Sequence, residues 1–147
     1  MAQAIVIFES RKGNTQMMAE TIREAMAQAG VEAILKRVAE VNLVELPDFA
    51  GVILGSPTYN KDMIGTMKIF LFRLEQVNLR HKIGAAFGAY GWSGEAVGML
   101  TETMKNLYGM DIVEPEIKLA GSAAGVEKSH YQDFGKKIAQ KIIARGK

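Results

Sequence analysis

Apolar positions along the chain fall into two alternating patterns. Ala4-Ile5-Val6-Ile7-Phe8 is an unbroken apolar run, as expected of a strand covered on both faces. From Thr15 to Ala29 the spacing changes to that of a helix, with Met18, Ile22, Ala25, Met26 and Ala29 on one stripe and Gly30 ending it. Val31 to Lys36 is a second, shorter strand, and Val41 to Pro47 reads as a turn or a short helical piece. Phe49 to Gly55 gives a third strand with Val52, Ile53 and Leu54 inside. Met63 to Val77 gives a helix with Ile64, Met67, Phe70, Leu71 and Leu74 inward. Lys82 to Phe87 is strand four, Ala96 to Tyr108 a helix stopped by Gly109, and Ile112 to Leu119 strand five. Glu127 to Ala144 closes the chain as a helix, with Tyr131, Phe134, Ile138 and Ile142 on its apolar side and its lysines on a solvated face.

Strands and helices alternating through short connections predict an α/β fold: a parallel sheet with helices on both faces. Five strands fit a three-layer, doubly wound sandwich, and the length of 147 residues fits one domain over the whole chain, 1–147. Such sheets bind ligands beyond the carboxyl ends of the strands, where the strand order reverses. That directs attention to the loops after strands one, three and four: "ESRKGNT", "GSPTYNKDMIG" and "GAYGWSGEAVG".

In the first loop Ser10, Gly13, Asn14 and Thr15 gather at a helix start. A helix N-terminus presents unpaired N–H groups and about half a positive charge, Gly13 lets backbone approach a ligand, and the polar side chains add donors. These are the parts of a phosphate cradle. They are equally the parts of a capped helix after a turn, since Ser, Asn and Thr are good caps. Neither a Walker P-loop nor a G-x-G-x-x-G dinucleotide motif is present. The second loop carries Ser56, Pro57, Thr58, Tyr59 and Asn60, with Thr58 and Asn60 as polar groups at the rim and Tyr59 as a flat face. A proline-containing connection with an incidental tyrosine has the same composition. The third carries Tyr90, Gly91, Trp92, Ser93 and Gly94, including the one tryptophan of the chain. Aromatics between glycines suit stacking on a planar ligand, the alternative being a Trp folded back on its own helix.

Composition narrows the chemistry. The absence of cysteine excludes thiolate metal sites, iron–sulfur clusters and a cysteine nucleophile, and two histidines are too few for a histidine-rich di-metal centre. A net charge of +2 argues no nucleic-acid binding. No apolar run reaches the roughly 20 residues of a membrane span, and the N-terminus carries no basic leader, so a cytoplasmic location without membrane attachment is expected. The nine methionines read as adaptable core packing. A phosphate cradle with two aromatic-bearing loops calls for a ligand with a phosphate tail and a flat heterocycle. Flavin mononucleotide (FMN) is that ligand, and it is the one held at the switch point in the standard example of this topology.

On "ESRKGNTQMMA", "GVILGSPTYN" and "GAAFGAYGWSGEAV" the chain resembles a flavodoxin, and more closely the flavodoxin-like domain of the flavodiiron proteins (A-type flavoproteins). The likeness spans almost the whole length and lacks the metal-bearing domain, which implies a stand-alone short-chain flavodoxin. It implies strand order 2-1-3-4-5 and an electron carrier moving electrons on FMN between redox partner proteins, a donor reductase and an acceptor enzyme. The rival on the same fold is an NAD(P)H-dependent flavin or quinone reductase. A signalling receiver domain shares the fold class but needs an aspartate after strand three, where Gly55 and Ser56 stand.

By position the resemblance implies that Ser10, Arg11, Lys12, Gly13, Asn14 and Thr15 wrap the phosphate. Ser56, Pro57, Thr58, Tyr59 and Asn60 would border the isoalloxazine on one side, and Ala89, Tyr90, Gly91, Trp92, Ser93 and Gly94 on the other. No catalytic or metal-ligating residue is implied. Two departures stand out. Many flavodoxins place a glycine after strand three whose peptide bonds reduced N5; here Thr58, Tyr59, Asn60 and Lys61 occupy that stretch, and Asn60 best tolerates the backbone required. Flavodoxins are also often strongly acidic, whereas Arg11, Lys12 and Lys61 lie in these loops, offset in part by Asp62 and Glu95.

Overall fold

The computed structural model describes residues 3–11, 13–59, 62–90, 95–114, 117–120 and 128–146. Its elements run β1 (Ala4–Phe8), α1 (Asn14–Gln28), β2 (Ala33–Arg37), β3 (Gly51–Gly55), β4 (Thr58–Tyr59), β5 (Asp62–Met63), α2 (Gly65–Arg73), β6 (Ile83–Tyr90), α3 (Glu95–Glu102), β7 (Asp111–Ile112), β8 (Ile117–Ala120) and α4 (Lys128–Arg145). The parallel strands lie in the order β2-β1-β3-β6, and β7 and β8 both pair with β6 as two pieces of one edge strand. Counted as sequence segments this is the expected 2-1-3-4-5 order of a doubly wound sheet.

Period-two alternation sorts the central strands between two cores. Ala4, Val6, Phe8, Ile53, Ala85 and Phe87 face α1 and α4, meeting Met18, Ile22, Met26, Tyr131, Phe134, Ile138 and Ile142. Ile5, Ile7, Val52, Leu54 and Ala86 face α2 and α3, meeting Met67, Phe70, Leu71, Leu74, Val97 and Leu100. Every residue of β1 and β3 is buried, which is why their sequences show no polar alternation. Each fully buried large aliphatic side chain contributes about 1.5–3 kcal/mol by leaving water. The helical stripes expected on α1, α2 and α4 are the buried ones, Ala29 being only partly covered.

Several boundaries differ from expectation, each for a local reason. Met63 belongs to a short antiparallel ribbon, Thr58–Tyr59 against Asp62–Met63, and α2 starts only at Gly65. The Ser56 hydroxyl accepts the Ile64 N–H at 3.1 Å and holds the chain extended up to that point. The α-helical part of α2 ends at Arg73, followed by a tighter turn Leu74–Gln76, while α3 passes at Glu102 into a wider π-helical turn, Thr103–Leu107. The ambiguous stretch is a 3₁₀ helix, Leu43–Asp48, capped by the Asn42 side chain, which accepts the Val44 N–H at 3.3 Å. Strand five is split, and Pro115, which has no N–H to give a ladder, falls between the two pieces in sequence.

The lysines of α4 are not simply a solvated face. Lys141 Nζ donates to Asp111 Oδ1 at 2.8 Å and to the Ile112 carbonyl at 3.2 Å, Lys137 donates to the Glu114 carbonyl, and Arg145 donates to the His81 carbonyl. They tie α4 to the split edge strand and to the turn before β6. Among the described residues, no helix is long and apolar enough to cross a membrane.

Candidate functional site

The first loop leaves β1 with its pairing extended by one residue, the Glu9 N–H donating to the Gly55 carbonyl at 3.1 Å. Ser10 Oγ then accepts the Gly13 N–H at 2.9 Å, which folds the loop back on itself. Gly13 takes φ +89°, a left-handed conformation a glycine adopts freely, and a Cβ built on it would meet nothing within 4 Å. The chain enters α1 directly from this residue. Among the described residues no side chain caps the helix, and its first turn carries no acidic residue. The residue at the N-cap position is thus a glycine, which brings no cap of its own. What stands at the end of β1 is a helix N-terminus, with its partial positive charge, behind an open glycine. These features fit a phosphate. Thr15 is buried and Arg11 exposed; Lys12 lies outside the described residues, as does the Asn14 side chain.

A residue that sequence spacing does not bring to this loop is Arg37, at the end of β2. Its guanidinium lies 5.0 Å from the centroid of the Phe8 ring and donates to Gln16 Oε1 at 3.0 Å and to the Ser10 carbonyl at 3.5 Å. The sole signal for it is strand order: β2 beside β1 in parallel puts Arg37 opposite Phe8.

The second and third loops are joined. Ser56 is fully buried, its N–H donating to the Phe87 carbonyl at 3.1 Å and its hydroxyl to the Pro57 carbonyl at 2.9 Å. Thr58 is buried as well, not a polar group left at the rim, and its Oγ1 accepts the Ala96 N–H at 3.0 Å. So the Ser56 and Thr58 hydroxyls are spent on holding the loop and the start of α3. The backbone of Thr58 pairs with Tyr90, because β6 runs longer than expected and takes Ala89 and Tyr90 into the sheet. At Gly88 a Cβ would stand 2.0 Å from the Ser56 carbonyl oxygen, so the close approach of the two loops requires a glycine there. The first loop is tied in through Glu9, whose carboxylate accepts from the Thr66 hydroxyl in the first turn of α2. Asn60, Lys61, Gly91, Trp92, Ser93 and Gly94, and the side chains of Tyr59, Ala89 and Tyr90, lie outside the described residues.

Charge at this end of the sheet is partly internal. Lys68 Nζ donates to Asp62 Oδ2 at 2.7 Å. That hydrogen bond holds the Asp62 carboxyl below its ordinary range against the opposing effect of burial, helped by the Met63 N–H at 2.8 Å. Among the described residues there is no cluster of acidic, histidine or cysteine side chains that would hold a metal ion.

Comparison with known proteins bears on the same three loops. An archaeal flavodoxin of known structure superposes with a TM-score of 0.91 at 33% identity, over 95% of this chain and 98% of the other. "Probable flavodoxin 2" of Bacillus subtilis is 27% identical over 147 residues, 96% of this chain and 97% of its own length. A type A flavoprotein of Rhodobacter capsulatus is 33% identical over 150 residues, 96% of this chain but 33% of the relative. The chain spans only 24–36% of the length of the first curated relatives it matches. The flavodoxin family model matches residues 6–131, from β1 into the first turn of α4, and so takes in every loop of the site. Fold, relatives and family match agree: the chain belongs to the flavodoxin family, whose cofactor is FMN.

Proposed function

We propose that this chain carries electrons one or two at a time between redox partner proteins, and that its three loops hold the FMN. Ser10, Arg11, Lys12, Gly13, Asn14 and Thr15 surround the phosphate. Ser56, Pro57, Thr58, Tyr59 and Asn60 border the ring system on one side, and Ala89, Tyr90, Gly91, Trp92, Ser93 and Gly94 border it on the other. The observation that carries this reading is the N-terminus of α1 standing directly behind the open, left-handed Gly13. FMN supplies the redox chemistry; the protein supplies binding, orientation and electrostatics. Thr58 acts here as a brace: its hydroxyl and its pairing with Tyr90 fix the spacing between the two ring-bordering loops.

The charge balance supports a partner with an acidic docking surface. Arg11, Lys12 and Lys61 sit in the loops, and Lys68 engages the nearby Asp62 carboxylate. Electrostatic complementarity of this kind acts mainly on the association rate and falls with salt.

The decisive measurement is an absorbance spectrum of the purified protein followed through stepwise reduction. A carrier is expected to show bound flavin that a chemical reductant or a reductase protein reduces, while NAD(P)H alone does so only slowly. Rapid reduction by NAD(P)H alone would instead make the chain a reductase with a substrate site of its own. A spectrum without flavin, even after incubation with FMN, would refute both.

A further inference from the structure

Arg37 bridges the two ends of the candidate phosphate loop. One arm of its guanidinium reaches the carbonyl of Ser10, before the turn, and the other reaches the side chain of Gln16, after it. Each of its surroundings fixes it further. Its backbone N–H donates to Glu40 Oε1 at 2.8 Å, and its charged plane lies over the Phe8 ring. Gln16 is oriented in turn: its Nε2 donates to Glu20 Oε1 at 3.1 Å, which leaves the amide oxygen facing Arg37. An arginine serving only to solvate a strand end would extend into water, whereas this one is half-buried with both terminal nitrogens engaged.

We propose that Arg37 is a positioning and specificity residue for the flavin phosphate: it holds the Ser10–Gln16 loop closed and sets a permanent positive charge beside it, so that the protein selects phosphorylated flavin over riboflavin. The inference rests on the phosphate reading of that loop. The planar fork matters as well as the charge, because two acceptors on opposite sides of a turn are reached at once only by a forked donor. Nearby carboxylates do not cancel the effect at the loop itself. Glu9 is turned to Thr66, Glu20 to Gln16 and Glu40 to the Arg37 backbone, and the first turn of α1 contains no acid. Sequence spacing hides the residue, since Arg37 lies 27 positions from Ser10 and 21 from Gln16.

The test is titration of the flavin-free full chain with FMN and, separately, with riboflavin, followed by flavin fluorescence at several salt concentrations. In Arg37→Ala the preference for FMN over riboflavin is expected to shrink about tenfold, equivalent to about 1.4 kcal/mol. Riboflavin affinity should hold, and the salt dependence of FMN binding should weaken. Arg37→Lys, which keeps the charge and loses the fork, should fall between, with the preference reduced about threefold. If Arg37→Ala does not fold, the lysine variant decides on the same ratio. Equal losses for both flavins would make Arg37 a merely structural residue, and an unchanged ratio would remove it from phosphate selection; either overturns the proposal. A native protein that binds riboflavin as tightly as FMN overturns the phosphate reading of the loop itself, which is a separate failure.

Discussion

Thr58 and Ala96 lie 38 residues apart in the chain, yet the Thr58 hydroxyl accepts the Ala96 N–H at 3.0 Å, so the loop after β3 caps the helix that follows β6. The bond is buried, which raises the cost of losing it. In Thr58→Val the shape is kept and the acceptor removed, leaving a buried N–H unpaired at a cost of about 1–3 kcal/mol. Thr58→Ser keeps the oxygen and should lose far less. Urea unfolding of the flavin-free protein compares the two. FMN affinity should fall in the valine variant if, as proposed, the loops that this bond spaces border the flavin ring. A valine variant as stable as the native protein would mean that the contact is incidental.

Two glycines of the site should respond differently to the same change. At Gly88 an added methyl meets the Ser56 carbonyl oxygen at 2.0 Å, and the loop cannot retreat without losing the bond from the Ser56 N–H to the Phe87 carbonyl. Gly88→Ala should cost about 1–3 kcal/mol through overpacking and weaken FMN binding by spreading the loops. At Gly13 there is open space, so Gly13→Ala carries only the left-handed backbone penalty of about 1–2 kcal/mol, and Gly13→Asn should carry less. Thermal unfolding with and without FMN separates the two cases. An alanine tolerated equally well at both positions would contradict the geometry.

The elements of this fold are legible in sequence because burial writes them there. Met18, Ile22 and Met26 repeat at helical spacing because α1 lays one face on the sheet, and β1 and β3 are wholly apolar because helices cover both their faces. The candidate phosphate loop can be picked out for a similarly local reason: its polar side chains and its glycine are neighbours in the chain. What sequence does not disclose is a polar group's partner when that partner is remote. Thr58 reads as a rim residue, and only the fold reveals that its hydroxyl, like that of Ser56, is taken up by a remote backbone N–H, Ala96 for Thr58 and Ile64 for Ser56. Nothing in the sequence singles out Arg37, just beyond the expected end of strand two, and only the β2–β1 register places it on Ser10 and Gln16. Lys137 and Lys141 read as solvated, because nothing local marks the strand-edge carbonyls and the Asp111 carboxylate that they bind.

Tyr108 offers a pH-dependent check at the far end of α2. Its hydroxyl donates to the Leu71 carbonyl at 2.6 Å and lies 3.4 Å from that of Phe72, closing off the end of the helix. Burial, and after it the Glu75 carboxylate, pushes the phenol above its ordinary value. The folded state therefore holds the proton more tightly than the unfolded chain does. The stabilisation is complete below the unfolded tyrosine value of about 10 and is lost as pH rises from there through the folded value. Tyr108→Phe should cost about 1 kcal/mol at neutral pH, the net value of one hydrogen bond. Above about pH 10 the native protein should lose stability faster than the variant, narrowing the gap between them. Urea midpoints for both proteins at neutral and alkaline pH give the answer. A gap that stays constant across that range would show that the phenol titrates alike in both states, and that the O–H bond to the Leu71 carbonyl does not stabilise the protonated form.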